Sequence, residues 1–172
     1  MTAKISAYLI LAAAITMVSG CSTTSPLKCP AASALVDTSA LTMLRTDSTP
    51  LYMVQIDKVT SDCTVYKYEH SVETSLDINF TATRRSAGSA ASYSVPYFVA
   101  VTQGAHVVSK RRFNVQFSFD AGETTVNFAD SVDSTKIQVA KDKKAYDYAL
   151  MVGIQLTKDQ LDYNRTVGRY PK

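Results

Sequence analysis

Apolar and polar residues alternate strictly along two segments of the chain. The apolar positions are Leu76, Ile78, Phe80 and Ala82 in the first segment and Phe113, Val115, Phe117 and Phe119 in the second. A period of two places these side chains on one face of a β-strand and does not fit the 3.6-residue period of an α-helix. Both segments are therefore predicted to be strands with one buried and one wet face.

Other apolar and β-branched segments, separated by turn signals, predict further strands. They are 51–59 and 63–68 as a hairpin, 95–101 as a central strand, 124–128 and 136–139 as short strands, and 146–156 as the last strand. The small residues of 86–92 predict a loop between the two halves of the domain. Within the last strand, Gly153 indicates a bulge or a close backbone approach.

The C-terminal part of the chain has the signature of a helix start. Thr157 and Gln160 have the spacing of a capping box, so a short helical turn is expected after them, with Leu161 and Tyr163 packed on the domain. Many short strands and one helical turn are typical of an all-β sandwich. We predict an immunoglobulin-like sandwich of about seven to nine strands, with a lipocalin-like barrel as the alternative.

The first twenty residues have the pattern of a secretory signal peptide. Lys4 supplies a positive charge, and an apolar segment then runs from Tyr8 to Val18. The alternative is a permanent membrane helix, which needs about 20 apolar residues, whereas this segment is interrupted at Ser19. Residues 1–20 are therefore predicted to be removed on export.

The segment Val18-Ser19-Gly20-Cys21 resembles the lipobox of bacterial lipoproteins. The resemblance implies cleavage before Cys21 and acylation of that cysteine, with palmitate as a typical chain. Two or three acyl chains hold a protein stably, since each buried methylene contributes about 0.8 kcal/mol. Ser22 resembles the signal that sends such proteins to the outer membrane, which implies a lipid-anchored domain facing the periplasm. Residues 21–28 would form the tether and residues 29–172 one β domain.

Two further cysteines, Cys29 and Cys63, remain in a chain with this export signal. An even pair in an oxidising compartment favours a disulfide. A catalytic thiol or a metal pair is the alternative, but the two cysteines lack the close spacing of a zinc site. The bond would join the start of the domain to an early strand.

Charge and polar motifs exclude several classes of function. Removing residues 1–20 removes one lysine, so 17 of the 18 Lys and Arg remain against 15 Asp and Glu, a formal charge of +2. This balance argues against binding to nucleic acid. No nucleophile elbow or glycine-rich phosphate loop occurs. His70 lies near Glu69 and Glu73, but an exposed strand-end histidine fits better than a metal ligand. We expect no cofactor and no enzymatic activity.

Two basic pairs are candidate ligand-binding residues. Arg84 and Arg85 end one predicted strand, and Arg111 and Arg112 lie early in another. If the fold brings the pairs together, they could bind lipid phosphates or an acidic glycan. The alternative is that the charges protect a sheet edge against pairing with another sheet.

Short segments of the chain resemble a family of uncharacterised envelope lipoproteins of alphaproteobacteria. They are Cys29-Pro30, Tyr97–Thr102, and Leu156-Thr157 with Leu161 and Tyr163-Asn164-Arg165. The resemblance covers most of the chain after the tether and implies its location and extent, but no activity and no functional residues. The sequence favours a membrane-anchored interaction or assembly module with an envelope protein partner. A lipoprotein that binds an acidic glycan or a lipid headgroup is the alternative.

Overall fold

The computed structural model describes residues 29–167, so the predictions on the signal peptide, on Cys21 and on the tether lie outside the described residues. Besides two short 3-10 helices, Val36–Thr38 and Ala145–Asp147, this part of the chain contains eight strands and one α-helix. They are β1 (Ala31–Ala34), β2 (Ala40–Leu44), β3 (Pro50–Tyr66), β4 (Ser71–Thr83), β5 (Ala91–Gln103), β6 (His106–Phe119), β7 (Thr125–Gln138), β8 (Tyr148–Ile154) and α1 (Lys158–Val167).

The strands form two sheets of four, in the orders β1-β8-β5-β6 and β2-β3-β4-β7. All neighbouring strands are antiparallel except β1, which runs parallel to β8. The sheets pack face to face as an open sandwich, which confirms the prediction of an all-β sandwich. The barrel alternative is wrong, because the two sheets do not close on each other.

The alternating segments form the core, as predicted. Ile78 and Phe80 of β4 face Phe117 and Phe119 of β6 across the sandwich, and all four side chains are buried. Phe128 of β7 joins the layers, since its ring stacks on Phe80 at 5.2 Å and on Phe117 at 4.7 Å between centroids. Such aromatic contacts contribute beyond the area that they bury.

A hydrogen bond between the two sheets also crosses the core. The hydroxyl of Tyr97 in β5 donates to the Asp130 carboxylate in β7 over 2.8 Å. Burial, together with this neighbouring carboxylate, raises the pKa of Tyr97 far above that of a free tyrosine. The Tyr97 hydroxyl therefore stays protonated and remains a hydrogen-bond donor to the Asp130 carboxylate.

Two strand predictions are wrong in their extent. The expected hairpin over 51–68 is a single strand, β3, and the expected pair 124–128 and 136–139 is the single strand β7. Both strands hydrogen-bond along β4, and their ladders absorb the irregular residues as register shifts. Of the polar residues between the predicted strands, Thr60, Asp62 and Asp133 are exposed on the solvent side, where a strand tolerates them, whereas Asp130 accepts the hydrogen bond from Tyr97. The real turn after β3 is Lys67–His70, in which His70 has φ 49°.

The end of the chain follows the predicted capping chemistry. The Gln160 amide N–H donates to Thr157 Oγ1 over 3.3 Å, and the Thr157 N–H donates to Gln160 Oε1 over 2.9 Å. Leu161 and Tyr163 are half-buried, which confirms their packing on the domain. Asn164 fixes the helix by donating to the Ala40 carbonyl over 2.7 Å.

Gly153 marks a close approach and not a bulge, since the β5–β8 ladder has no register shift. A Cβ atom on Gly153 would lie 2.1 Å from Thr38 Oγ1 and 2.7 Å from Phe98 Cζ. The outer face of this sheet therefore lies directly against the turn Val36–Thr38, and only glycine fits between them.

The strand register divides the connections between two ends of the sandwich. The turns Lys67–His70 and Gly104–Ala105, the connection Val139–Asp147 and the chain entry at Cys29 lie at one end, which we call the entry pole. The turn Arg45–Thr49, the loop Arg84–Ala90 and the turn Asp120–Thr124 lie at the other end, the far pole.

Candidate functional site

The predicted disulfide is present between Cys29 and Cys63, whose Cα atoms lie 5.8 Å apart. Cys29 precedes β1, a strand of four residues that pairs only with β8. Cys63 lies near the end of β3, the longest strand, where β3 pairs with β4. The bond therefore ties the chain entry to the second sheet, in addition to the pairing of β1 with β8 in the first.

At the far pole, Arg84 organises the loops. Its Nε donates to the Glu123 carbonyl over 2.6 Å, Nη1 donates to Ser89 over 2.9 Å, and Nη2 donates to Asp120 over 3.0 Å and to Gly88 over 3.2 Å. The guanidinium carbon also lies 4.8 Å from the centroid of the Phe119 ring. One planar cation thus fixes two connections that are distant in sequence, which a lysine could not do.

The neighbouring Arg85 has a different environment. Its side chain is exposed and lines, with Arg45 and Arg84, a cleft of about 440 Å³ next to the loop Arg84–Ala90. Because the Arg84 donors are directed to carbonyl oxygens of the protein, Arg85 and Arg45 are the cations of this cleft that face outward. The Gly122 amide donates to the Gly88 carbonyl over 2.9 Å and adds a second link between the same loops.

The structure does not bring the two arginine pairs together. Arg84 lies beside Phe119 at the end of β6, whereas Arg111 lies eight residues earlier in that strand, about 26 Å away at 3.3 Å per residue. Arg111 Nη1 donates to the Ser134 carbonyl over 3.1 Å, and Arg112 is exposed. A single site holding all four arginines is not formed.

The interpretation as edge protection fits only one of the pairs. Arg111 and Arg112 lie on β6, which is an edge strand, and their neighbour Lys110 covers the Phe98 ring at 3.7 Å. Long cations on an edge disfavour pairing with another sheet. Arg84 and Arg85 follow β4, an interior strand, and their role is at the loops.

The entry pole contains a second cleft, of about 350 Å³, that the sequence did not reveal. It lies between the end of β3 with its turn and the connection before β8; its lining includes Val65, Tyr66, Lys67, Lys143, Lys144 and Tyr146. No local pattern joins the two segments, which lie more than 70 residues apart in the sequence.

Ion pairs organise part of the charge at this pole. Lys136 lies 2.9 Å from Glu69, and Lys143 lies 3.0 Å from Asp142. Hydrogen bonding within each pair lowers the pKa of the carboxyl and raises the pKa of the lysine. Within residues 29–167, Lys67 and Lys141 have no carboxylate at ion-pair distance.

Neither a metal site nor a membrane-spanning helix occurs in the described part of the chain. Residues 29–167 contain no group of three His, Cys, Asp or Glu side chains placed to bind a metal ion. His70 lies in the turn after β3 and His106 at the start of β6. The longest helix, α1, is too short and too polar to cross a bilayer.

In comparisons with known proteins, no family model matches the chain, and no curated protein or solved structure is significantly similar to it.

Proposed function

We propose that the protein is a lipoprotein anchored through acylated Cys21 to the outer membrane, where its sandwich serves as a non-catalytic interaction module in the periplasm. The lipobox Val18–Cys21 supports the anchor, and the Cys29–Cys63 disulfide fits an oxidising compartment. The partner in this proposal is another envelope protein.

The observation that carries the proposal is the separation of the chain entry from the ordered loops. Cys29 lies at the entry pole, whereas Arg84 holds the far-pole loops in one conformation by hydrogen bonds to four carbonyls. A pre-ordered loop surface loses little conformational entropy on binding. Function carried by loops on a rigid β scaffold is a common arrangement, and an anchor at the opposite end leaves those loops accessible.

Metabolic labelling with a palmitate analogue tests the anchor. The wild-type protein should be labelled, and Cys21→Ser should lose all of the label because the thioether can no longer form. Ser22→Asp is the matched control: it should keep the label but move the protein out of the outer-membrane fraction. A Cys21→Ser protein that is still labelled contradicts the anchor.

Site-specific photo-crosslinking in intact cells tests the interaction module. A photoreactive residue at Ala87, exposed in the far-pole loop, should give one discrete adduct. The same residue at Thr60, exposed on β3 away from the far-pole loops, should give none. Because Arg85 is one of the two outward cations and lies on the same loop as Ala87, Arg85→Glu should abolish the adduct. Identical patterns from both positions, or no adduct from Ala87, would refute the use of the far pole.

The second candidate function is binding of an acidic glycan or a lipid headgroup. The entry-pole cleft supports this function better than the four arginines do. It combines apolar side chains with cations, and its lining includes Val65, Tyr66, Lys67, Lys143, Lys144 and Tyr146. Apolar walls with a few convergent charges are typical of sites for small anionic groups.

A further inference from the structure

We infer that the entry pole lies on the phospholipid surface to which the protein is anchored, with its tyrosines at the level of the headgroups and its lysines at lipid phosphates. This inference rests on the proposed acylation of Cys21 and adds an orientation to it: one end of the sandwich contacts the bilayer, and the far pole points away.

Exposed apolar side chains are concentrated at the entry pole. Nine large hydrophobic residues are exposed in the described part of the chain, and six of them lie there: Val65, Tyr66, Tyr68, Val107, Val108 and Tyr146. Tyr68 is fully exposed at the tip of its turn, and Val107 is 63% exposed. Tyrosine is favoured where an apolar ring and a polar hydroxyl meet the boundary between lipid and water.

The charge at this pole suits an anionic surface. Five lysines, Lys67, Lys136, Lys141, Lys143 and Lys144, lie at this pole with four carboxylates, Glu69, Glu73, Asp142 and Asp147, which gives a formal charge of +1. The far pole has three arginines, Arg45, Arg84 and Arg85, and three carboxylates, Asp47, Asp120 and Glu123, and is neutral. Anionic lipids therefore attract one pole and not the other.

The length of the tether keeps this pole near the bilayer. Eight residue steps separate Cys21 from Cys29, so even a fully extended chain spans at most about 28 Å. The sandwich is longer than that, because the 14 residues of β6 alone extend about 46 Å. The end that is held closest to the membrane is thus the end with the exposed tyrosines and the excess of lysine.

The cleft of the entry pole gives this contact a chemical preference. Its apolar walls would accept the glycerol and carbonyl region of a lipid, and the lining residues Lys67, Lys143 and Lys144 would bind the phosphate. A phosphodiester with a second negative or neutral group fits this arrangement, so phosphatidylglycerol is the probe of choice.

Tryptophan fluorescence tests the orientation, because the protein contains no tryptophan and one substitution creates a unique reporter. The acylated mature protein is reconstituted into vesicles of phosphatidylethanolamine and phosphatidylglycerol with brominated acyl chains. Tyr68→Trp reports on the entry pole, and Leu44→Trp, 39% exposed near the far pole, is the matched control. Both positions are exposed, so neither substitution disturbs the core.

Tyr68→Trp should be blue-shifted and quenched at least about threefold more strongly than Leu44→Trp, since a side chain among the headgroups lies much closer to the brominated chains than one at the far pole. Adding Lys67→Gln, Lys143→Gln and Lys144→Gln should reduce that quenching, as should vesicles of phosphatidylcholine alone. Soluble glycerol phosphate should not compete if the bilayer, and not a free headgroup, is bound.

The outcomes separate the two proposals. Vesicle flotation with equal quenching at both positions leaves the anchor intact and overturns the orientation. Failure of the wild-type protein to float with the vesicles overturns the anchor, and the orientation with it. Competition by glycerol phosphate would assign the cleft to a soluble phosphate ligand and would also overturn the membrane contact.

Discussion

Replacing Cys29 and Cys63 by serine should lower the free energy of unfolding by about 3–4 kcal/mol, which is a large part of the total for a domain of this size. The disulfide closes a loop with a sequence separation of 34 residues. Without it, the unfolded chain gains the entropy of that loop. The chain entry would then be held only by β1, four residues long and paired with a single neighbour.

Urea unfolding of the acylated or the Cys21→Ser protein measures this effect. The midpoint should fall by about 1.5–2.5 M, given a urea dependence of about 1.5–2 kcal/mol per molar for a small domain. Reduction of the wild-type protein should give the same shift, and each single serine variant should match the double variant. A loss below about 1 kcal/mol would show that the sheet holds the chain entry without the covalent bond.

Replacing Arg84 by alanine should cost about 2–4 kcal/mol, because it leaves several loop carbonyls without a charged donor and uncovers the Phe119 ring. Arg84→Lys should recover less than half of the loss, since one ammonium group cannot reach carbonyls on both loops at once. Arg85→Ala, at the next position but exposed, should change the stability by less than about 0.5 kcal/mol.

Urea unfolding gives the size of the Arg84 effect, and hydrogen exchange gives its location. The Gly122 amide, which donates to the Gly88 carbonyl between the two loops, should exchange faster in Arg84→Ala. For amides at the centre of β4, the exchange rate should rise only as much as the loss in global free energy of unfolding requires. Equal effects of Arg84→Ala and Arg85→Ala would contradict the organising role of Arg84.

The strands predicted correctly are those in which the residue pattern of the segment itself shows which face is buried. Over Leu76–Ala82 in β4 and Phe113–Phe119 in β6, every second residue is apolar, and the structure buries all of these side chains except the half-buried Phe113. The capping box at Thr157 and Gln160 could also be predicted from the sequence, because its two hydrogen bonds join residues only three positions apart. The disulfide followed from the number of cysteines and not from geometry.

The candidate site was predicted less well, because its parts come together only in the folded chain. Arg84 and Arg85 were treated as one basic pair, yet Arg84 turns to loop carbonyls and Arg85 to solvent. Arg111 and Arg112 lie about 26 Å along a strand from Arg84. The lysines and tyrosines that line the entry-pole cleft come from two separate parts of the chain, the end of β3 with its turn and the connection before β8, and no sequence pattern spans them.

The sequence by itself determined the β class, the core faces, the helix start and the pairing of Cys29 with Cys63, since each depends on local periodicity or on residue counting. Only the tertiary structure decided that β3 and β7 run uninterrupted along β4, that the strands form two open sheets, and which loops share a pole. The physical reason is that strand length and loop placement depend on hydrogen-bonding partners distant in the chain, whose positions the local order of residues does not encode.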